Sequence, residues 1–305
     1  MVTSNPEKPT IELSIIILSY NTATVTKDCI ESIFNSLKVS NLLYEIIVLD
    51  NASADNSVKL LQEMQEKYKH LTIIDSKVNV GFGKGNNIAV KQAEGKYLLF
   101  LNSDTIVLDR AVNELLTYYK TNEKTVHFAS GKLFNPDGSS QASCGPFYSL
   151  PVVFGALFLK GDYWGLTRYS PATAKKVDWV SGACILTTKE IFNKVHGFDE
   201  KIFMYMDEID LLYRANKQGY STYFYPSARF VHLGSASSEG KTFPILQVYS
   251  GFLYFYKKHF NRLTLGILKG MLQLKAVVSV FIGRLTGNPY LIKTYENAYK
   301  IASMD

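Results

Sequence analysis

The sequence predicts an α/β protein whose mostly parallel, Rossmann-like sheet is flanked by helices. Between residues 11 and 101, β-rich runs alternate with segments in which apolar residues recur every three or four positions. The β-rich runs are apolar along most of their length, as in strands that are covered on both faces. Each run also stops at polar or glycine-rich residues, and open α/β sheets bind ligands outside the carboxyl ends of their strands.

The first half of the chain is predicted to alternate strands and helices. We expect strands at 11–19, 44–49, 71–74 and 97–101. We expect helices at 24–37 and 55–68, and a third that follows a glycine-rich loop at 79–87 and runs to about residue 94.

The second half has a different composition. Residues 135–175 are rich in Gly, Pro, Ser and aromatic residues without a sustained period, which predicts a long loop region. A strand is predicted at 179–187, a helix from 189, a helix that ends near 218, and a strand at 221–225.

The positive charge of the chain belongs to its C-terminal tail. Residues 251–305 hold eight basic and two acidic residues, which accounts for the whole formal net charge of +6 over 305 residues. The remaining residues are balanced and carry no basic stripe, so we do not expect nucleic-acid binding.

The cysteines and the N-terminus bear on the compartment. Cys29, Cys144 and Cys184 are odd in number and widely spaced, which argues against a disulfide framework and favours a reducing, cytoplasmic setting. Residues 1–10 are polar and lack an apolar core, so no signal peptide is predicted.

The fourth predicted strand ends at Asn102-Ser103-Asp104, which places one carboxylate at the ligand-binding edge of the sheet. Asp104 could hold a divalent cation and, through it, a diphosphate. A helix N-cap is the alternative, because Asn, Ser, Asp and Thr all begin helices well. Gly81–Gly85 matches neither standard phosphate-loop pattern, so a turn before a helix explains it equally well.

Three acids, Asp207, Glu208 and Asp210, begin an amphipathic helix. Asp207 and Asp210 would share a face while Glu208 points elsewhere. Acids also suit the first turn of any helix through the macrodipole, so a purely structural explanation stays open. His232 follows another apolar run, and it is a candidate ligand only if Asp104 already holds a metal ion.

Taken in order, these segments resemble family 2 glycosyltransferases of the GT-A fold, in particular the rhamnosyltransferase-like and galactofuranosyltransferase-like branch. The resemblance extends from Leu13 to Gly234 and rests on the order of its motifs. The motifs are Ser19-Tyr20-Asn21, Asp50-Asn51-Ala52-Ser53, Asn79–Asn87, Asn102-Ser103-Asp104, Trp179–Ala183, Gly197–Glu200 and Asp207–Leu211.

The resemblance implies a catalytic domain over residues 1–250, with a nucleotide-sugar half at 11–134 and an acceptor half at 135–250. A basic amphipathic helical tail would follow at 251–305. Within the donor site, Asp50 would read the base or the ribose, and Trp179 and Gly182 would shape the sugar and acceptor site. The residues expected to border the nucleotide sugar are Ser19, Tyr20, Asn21, Asp50, Asn51, Gly83, Lys84, Asn102, Ser103, Trp179 and Gly182.

The resemblance also implies a metal site and a catalytic base. Asp104 and His232 would hold Mg²⁺ or Mn²⁺, and Glu208 would be the base, with Asp207 or Asp210 as alternatives. The sequence departs from the family pattern in two places: Asn102 stands where an aspartate is expected, and the base is glutamate where aspartate is commoner.

An inverting transfer needs a base and a cation but no enzyme nucleophile, and no Ser-His-Asp arrangement is apparent to supply one. We therefore expect a metal-dependent inverting glycosyltransferase of polysaccharide biosynthesis. It would move a sugar from dTDP-rhamnose or a UDP-hexose to a glycan or polyprenyl-linked acceptor. A sugar nucleotidyltransferase stays open, although residues 11–25 lack its glycine-rich signature, as does a non-catalytic module that binds nucleotide sugars or glycans.

The tail is strongly apolar from 263 to 282 but is interrupted by Lys269, Gln273 and Lys275. A lysine near the centre of a bilayer costs about 2.5–3.5 kcal/mol, so we do not expect a spanning helix. We expect an interfacial helix on an anionic membrane, with the enzyme peripheral on the inner face of the cell membrane. Packing on the catalytic domain or on the partner of a homodimer is the alternative.

Overall fold

A mixed sheet of ten strands organises the computed structural model, which describes residues 10–234 and 242–304. The strands are β1 Leu13–Ser19, β2 Tyr44–Asn51, β3 Leu71–Ser76, β4 Tyr97–Asn102, β5 Thr105–Val107, β6 Phe128–Phe134, β7 Ser140–Gln141, β8 Cys144–Gly145, β9 Lys175–Val177, β10 Trp179–Val180, β11 Cys184–Thr188 and β12 Thr222–His232. The helices are α1 Ala23–Leu37, α2 Ser57–Lys67, α3 Phe82–Gln92, α4 Ala111–Thr121, α5 Leu150–Phe158, α6 Lys189–Lys194, α7 Asp207–Lys217, α8 Thr242–His259, α9 Arg262–Leu285 and α10 Pro289–Ser303.

The strand order of the main sheet is β3-β2-β1-β4-β11-β6-β12-β5. The first four of these are parallel to one another, whereas β11 is antiparallel to both of its neighbours. The predicted α/β class with a mostly parallel sheet is therefore confirmed. Because the parallel strands end at one edge, the loops after β1, β2 and β4 lie there together.

Successive side chains of β1 go to opposite faces of the sheet, as the pleat requires. Ile16 joins one hydrophobic core, whereas Ile15 and Ile17 join the other, and all three are completely buried. Burying a side chain of this size stabilises the fold by about 1.5–3 kcal/mol, which explains why the strands read as continuous apolar runs.

The glycine-rich segment predicted as a loop is in fact the start of α3, which begins at Phe82. Gly81 has a φ of +82°, and a Cβ atom there would lie 2.4 Å from the carbonyl oxygen of Phe203. A Cβ at Gly85 would lie 2.5 Å from Leu18 Cδ1. Close packing of the helix start therefore requires these glycines, whether or not a phosphate binds nearby.

The prediction of a long loop at 135–175 is wrong in part, because this segment contains β7, β8, α5 and the start of β9. Backbone hydrogen bonds that its composition does not reveal join Cys144 and Tyr169 in both directions, and others close the turn after α5. The strand predicted at 179–187 divides into β10, which pairs with β8, and β11 in the main sheet. The pattern analysis also missed α4, β5 and β6.

Three helices, α8, α9 and α10, follow the sheet and pack against one another. The boundary predicted at residue 250 falls inside α8, whose Phe252, Phe255 and Tyr256 belong to the core of the sheet domain. The three cysteines are free and buried, as expected. The prediction about a signal peptide at residues 1–10 lies almost wholly outside the described residues.

Candidate active site

The turn between β4 and β5 places Asp104 beside His232. After β4 ends at Asn102, the chain reverses into β5, where Thr105 pairs with His232 at the end of β12. Asp104 Oδ1 lies 3.3 Å from His232 Nε2, and the Asp104 carbonyl accepts a hydrogen bond of 2.9 Å from the backbone N–H of Leu233. The sheet register therefore joins two residues that are far apart in sequence.

The hydrogen bonds of Gln141 orient the His232 ring. The Gln141 amide nitrogen donates to Asn135 Oδ1 at 2.9 Å and to the His232 carbonyl at 3.3 Å, so its oxygen faces the ring. His232 Nδ1 lies 2.8 Å from that oxygen and donates its proton to it. Nε2 then faces Asp104 and the Asn102 amide, which lies 3.2 Å away.

The donor set of this corner fits a divalent cation. A carboxylate oxygen and an imidazole nitrogen that stand 3.3 Å apart repel one another unless a proton or a cation lies between them. Among the described residues no group of three or more His, Cys, Asp and Glu side chains is suited to a metal. Asp104 and His232 would therefore supply two ligands and leave room for diphosphate oxygens.

The acid segment begins α7 after an unusual turn. Tyr205 and Met206 have φ values of +63° and +68°, in the left-handed region that non-glycine residues seldom adopt. Asp207 and Asp210 then point into the protein and are buried, whereas Glu208 is partly exposed. The side chains of Asp207 and Glu208 nevertheless interact, so the predicted division between two directions describes Asp210 and Glu208 but not Asp207.

Asp207 is a buried carboxyl held next to Glu208. Burial raises its pKa well above 3.8, and the neighbouring Glu208 carboxylate raises it further. Its Oδ2 atom has no hydrogen-bond partner within the described part of the chain. Asp207 is therefore the member of the pair that keeps a proton.

Asp210 is completely buried and contacts an arginine, a lysine and a histidine. Its carboxylate lies 2.7 Å from Arg214 Nε, 2.8 Å from Lys258 Nζ and 2.7 Å from His259 Nε2. Its pKa is about 2, because the hydrogen bonds and positive charges of these partners outweigh its desolvation by burial. Asp210 anchors α7 to α8 and is a poor alternative to Glu208 as a base.

Tyr205 links the two groups of acids. Burial is the main cause that raises the pKa of this phenol. The further causes, in order of size, are the carboxylates of Glu208, Asp207 and Asp104. The carboxylates of Asp104 and of the acid turn of α7 therefore both lie near enough to one tyrosine to raise its pKa.

Gly182 lies beside Glu208, whereas Trp179 is buried and packs on other residues. A Cβ atom at Gly182 would lie 3.8 Å from Glu208 Cβ and 3.5 Å from the Phe82 ring. Trp179 is buried, stacks on Tyr148 and donates from Nε1 to the Pro146 carbonyl at 2.8 Å. Any contact of Trp179 with sugar would therefore be indirect.

The loops after β1 and β2 are joined by polar contacts. Asn21 accepts a hydrogen bond of 2.7 Å from the backbone N–H of Ala54, and its own N–H donates to Ser53 Oγ at 2.8 Å. Asp50 is buried and accepts two hydrogen bonds from Ser53, of 2.8 and 2.7 Å. Asp50 thus shapes the loop, and its proposed contact with the nucleotide stays a prediction.

The remaining donor-site candidates have structural partners. The Ser19 hydroxyl is buried against Thr22, whose own hydroxyl lies 3.3 Å from Ser103 Oγ. Asn51 holds the start of α3 by accepting from Val80 N–H at 2.9 Å. The other two candidates on α3 face the loop before α7: a Cβ at Gly83 would lie 2.9 Å from Phe198 Cβ, and Lys84 Nζ lies 3.8 Å from Glu200 Oε2.

Three residues of this site were missed by sequence reasoning. Gln141 lies in the segment interpreted as a loop, Tyr205 was taken as part of an apolar approach, and Ser53 was treated only as a turn residue. A polar aromatic residue two positions before the first of three acids was the one available signal for Tyr205. The partners of Gln141 and Ser53 depend on tertiary contacts.

Comparison with known proteins gives consistent matches. Residues 14–209 match the family described as glycosyl transferase family 2. The chain is 31% identical over 228 residues to the rhamnosyltransferase WbbL of Escherichia coli K12, which covers 72% of this chain and 82% of that protein. It is 26% identical over 207 residues to an N-acetylglucosaminyl-diphospho-decaprenol L-rhamnosyltransferase of Mycobacterium tuberculosis, covering 61% of this chain and 66% of that protein.

A solved structure gives the fold. The mannosyltransferase PcManGT of Pyrobaculum calidifontis, in complex with GDP-Man and Mn²⁺, superimposes with a TM-score of 0.57 at 14% identity. The match covers 96% of this chain and 77% of that one. At this identity the likeness concerns the fold alone, and it confirms the predicted GT-A architecture.

Proposed function

The chain belongs to glycosyltransferase family 2 and is a glycosyltransferase that uses a nucleotide-sugar donor, and we propose that it depends on a divalent metal and uses Glu208 as its base. The observation that carries the proposal is that Asp104, which lies 3.3 Å from His232, and Glu208 both act on the phenol of Tyr205.

The proposed reaction is one direct displacement. Glu208 takes the proton of an acceptor hydroxyl, whose oxygen forms a bond to the anomeric carbon of the donor. The bond from that carbon to the diphosphate oxygen breaks, and the nucleoside diphosphate leaves with the electron pair. One displacement inverts the configuration at the anomeric carbon.

Asp207 and Gly182 support this role of Glu208. Burial and the neighbouring Glu208 raise the pKa of Asp207, which makes Asp207 a poor base, whereas Glu208 is partly exposed and can reach an acceptor. Gly182 leaves space beside Glu208 that a larger side chain would fill. A cation held by Asp104 and His232 would neutralise the charge of the departing diphosphate.

We propose dTDP-rhamnose as the donor, with a UDP-hexose as the alternative, and a lipid-linked or other glycan as the acceptor. The support for rhamnose is that two relatives are named as rhamnosyltransferases. The support for a lipid-linked acceptor is that one of them is named for a decaprenol diphosphate. The basic tail would hold the enzyme on an anionic membrane surface, where such acceptors lie.

The base is tested with Glu208→Gln in the full-length protein. We expect transfer from dTDP-rhamnose to fall by about 10²–10⁴-fold, because the proton acceptor is lost, while donor affinity changes little. Glu200→Gln is the matched control, since it removes a similar charge from the exposed pair with Lys84. Normal transfer by Glu208→Gln together with normal donor binding would contradict the assignment.

The metal site is tested by titration of Mn²⁺ in the presence of dTDP. Asp104→Asn and His232→Gln should each weaken Mn²⁺ binding by about tenfold or more, with an unchanged unfolding transition. Metal-dependent donor binding without any turnover by the wild-type protein would instead favour a non-catalytic binding module. Release of pyrophosphate from dTTP and a sugar phosphate would favour a nucleotidyltransferase.

A further inference from the structure

Helix α5 and the turn after it carry exposed aromatic side chains. We propose that this segment, residues 154–166, is a second membrane-contact element, which seats Tyr163 and Trp164 in the headgroup region of an anionic bilayer beside α9. This rests on the proposed function, because it assumes that the tail lies on a membrane.

The exposure of these side chains is the first observation. Tyr163 is 78% exposed, Trp164 is 68% exposed and Leu166 is 61% exposed. Phe154 and Leu159 of the same segment are also exposed. A contiguous apolar patch of this kind marks an interaction surface, and Trp and Tyr are the residues that favour the interface between lipid and water.

Hydrogen bonds hold the turn in one conformation, so the exposed rings of Tyr163 and Trp164 have defined positions. The Gly161 N–H donates to the Gly155 carbonyl at 2.9 Å, and the Leu166 N–H donates to the Gly161 carbonyl at 2.8 Å. The hydroxyl of Thr167, which is buried, donates to the Asp162 carboxylate. Tyr163 and Trp164 contact one another edge to face, with ring centroids 5.0 Å apart.

The segment lies beside α9, because α5 packs against that helix. Within the described residues, α9 is the one helix long and apolar enough, by length and composition, to cross a membrane. One of its faces is buried by Leu268, Leu272 and Ala276. The opposite face is an exposed stripe of Leu263, Ile267, Leu274, Val277, Val278, Phe281, Ile282 and Leu285.

A helix with one face packed on protein and the other exposed suits the plane of the interface better than a span. Lys269 and Gln273 fit this orientation, because they donate to the carbonyls of Met304 and Ala302 at the end of α10. The polar side chains Lys269 and Gln273 of α9 are therefore hydrogen-bonded to the end of α10. The exposed apolar stripe of α9 remains available to an external partner.

The positive charge of the tail favours an anionic bilayer, rather than a second copy of this chain, as the partner of this surface. Arg262 and Arg284 are exposed at the two ends of the stripe, and the tail holds the whole net charge of +6. An anionic headgroup contributes roughly 1 kcal/mol for each basic residue near the surface. A second copy would bring an equal positive charge to the same face, which is unfavourable.

The surface also leads to the active site. Tyr148 lies two residues before α5, stacks on Trp179 and accepts a hydrogen bond of 2.7 Å from Tyr256 at its carbonyl. Burial is the main cause that raises the pKa of Tyr148, and the carboxylates of Asp162 and Glu208 raise it further. We accordingly place the approach of a lipid-linked acceptor to Glu208 on the side of α5.

The sequence supplies its own probe, because it has two tryptophans and only Trp164 is exposed. The wild-type protein is mixed with vesicles of phosphatidylglycerol and phosphatidylcholine that carry bromine on their acyl chains. We expect Trp164 emission to move to shorter wavelengths and to be quenched by the brominated lipid, with weaker effects at high salt. Trp179 is 2% exposed and gives a constant background.

Flotation measures the energetic contribution of each element. The double substitution Tyr163→Ser/Trp164→Ser should lower the vesicle partition coefficient roughly tenfold, which corresponds to about 1.4 kcal/mol. Phe281→Ser should lower it through α9. Val39→Ser is the matched control, since it removes an exposed apolar side chain from the nucleotide half.

The outcomes separate this inference from the proposals it builds on. Vesicle binding without quenching, and with no effect of the double substitution, would overturn the second element while the tail proposal stands. Absence of any binding to anionic vesicles would overturn both membrane contacts, while transfer to a water-soluble acceptor would still report the enzyme's function. A dimer in light scattering that the double substitution dissociates would assign this surface to a second copy instead.

Discussion

Replacement of Asp210 by Asn should destabilise the protein strongly, although Asp210 takes no part in the proposed chemistry. Asp210 is 0% exposed and contacts Arg214, Lys258 and His259 within 2.8 Å. Because an Asn side chain is neutral, Asp210→Asn leaves Arg214 and Lys258 without this buried negative charge. Removing one partner from a buried ion pair typically costs about 3–5 kcal/mol.

The pKa of Asp210 gives an independent magnitude. Its folded value is about 2 against an ordinary 3.8, and each pH unit of that difference corresponds to about 1.4 kcal/mol. The ionised carboxylate therefore contributes between about 2 and 3 kcal/mol to folding at neutral pH. Together the two lines of reasoning place the expected loss for Asp210→Asn between about 2 and 4 kcal/mol.

The assay is urea unfolding followed by circular dichroism. Glu190→Gln is the control, because Glu190 pairs with Lys194 at 2.6 Å on an exposed helix face and should lose less than about 0.5 kcal/mol. A loss for Asp210→Asn no larger than that of the control would refute the reasoning.

The pH dependence provides a second check with a definite sign. Because the folded pKa of Asp210 is lowered, its contribution is complete above the unfolded value and is lost as the pH falls through the folded value. The wild-type protein should therefore lose its advantage over Asp210→Asn between about pH 4 and pH 2. An advantage that does not change across this window would show that the cluster does not hold the carboxylate ionised.

Three further predictions follow from the site. Gln141→Leu should weaken Mn²⁺ binding by about 10–100-fold because His232 loses the acceptor that orients it, and Gln141→Glu should restore binding in the same titration. Asp207→Asn should gain stability relative to wild type as the pH rises above about 3.8, since the unfolded wild-type chain then releases a proton that the folded protein still holds on Asp207; urea unfolding at several pH values tests this, and a flat difference contradicts it. Gly81→Ala should lose more than about 2 kcal/mol through its clash with a backbone oxygen, whereas Gly138→Ala, at φ +80° in open space, should lose only about 1–2 kcal/mol; equal losses would exclude the clash.

The local sequence pattern was sufficient to predict the four parallel strands β1 to β4 of this fold. The strands are apolar runs that stop at polar residues, so their existence and direction follow from burial on both faces and from the alternation with helices. The segment at 135–175 could not be predicted in this way. Its order comes from contacts between residues such as Cys144 and Tyr169, which no periodicity records.

The site was predictable to the extent that it lies at strand ends and at the start of α7. Asp104, His232 and Glu208 were identified from such positions and lie around Tyr205 in the fold. The supporting contacts were not predictable, because Gln141 reaches His232 only through the pairing of β7 with β6. The engagement of Asp210 likewise depends on α8, which begins 32 residues later in the chain.

The left-handed pair before α7 has a consequence for protein engineering. A stabilisation campaign would select Tyr205→Gly, because glycine relieves about 1–3 kcal/mol of backbone strain at such a position. Met206→Gly would gain nothing, since it removes a buried side chain that packs against Gly251 of α8. Tyr205→Gly would delete the phenol near Glu208 and Asp104, so thermostability screens on this protein should leave Tyr205 unchanged, since a variant selected there would gain stability at the expense of the proposed active site.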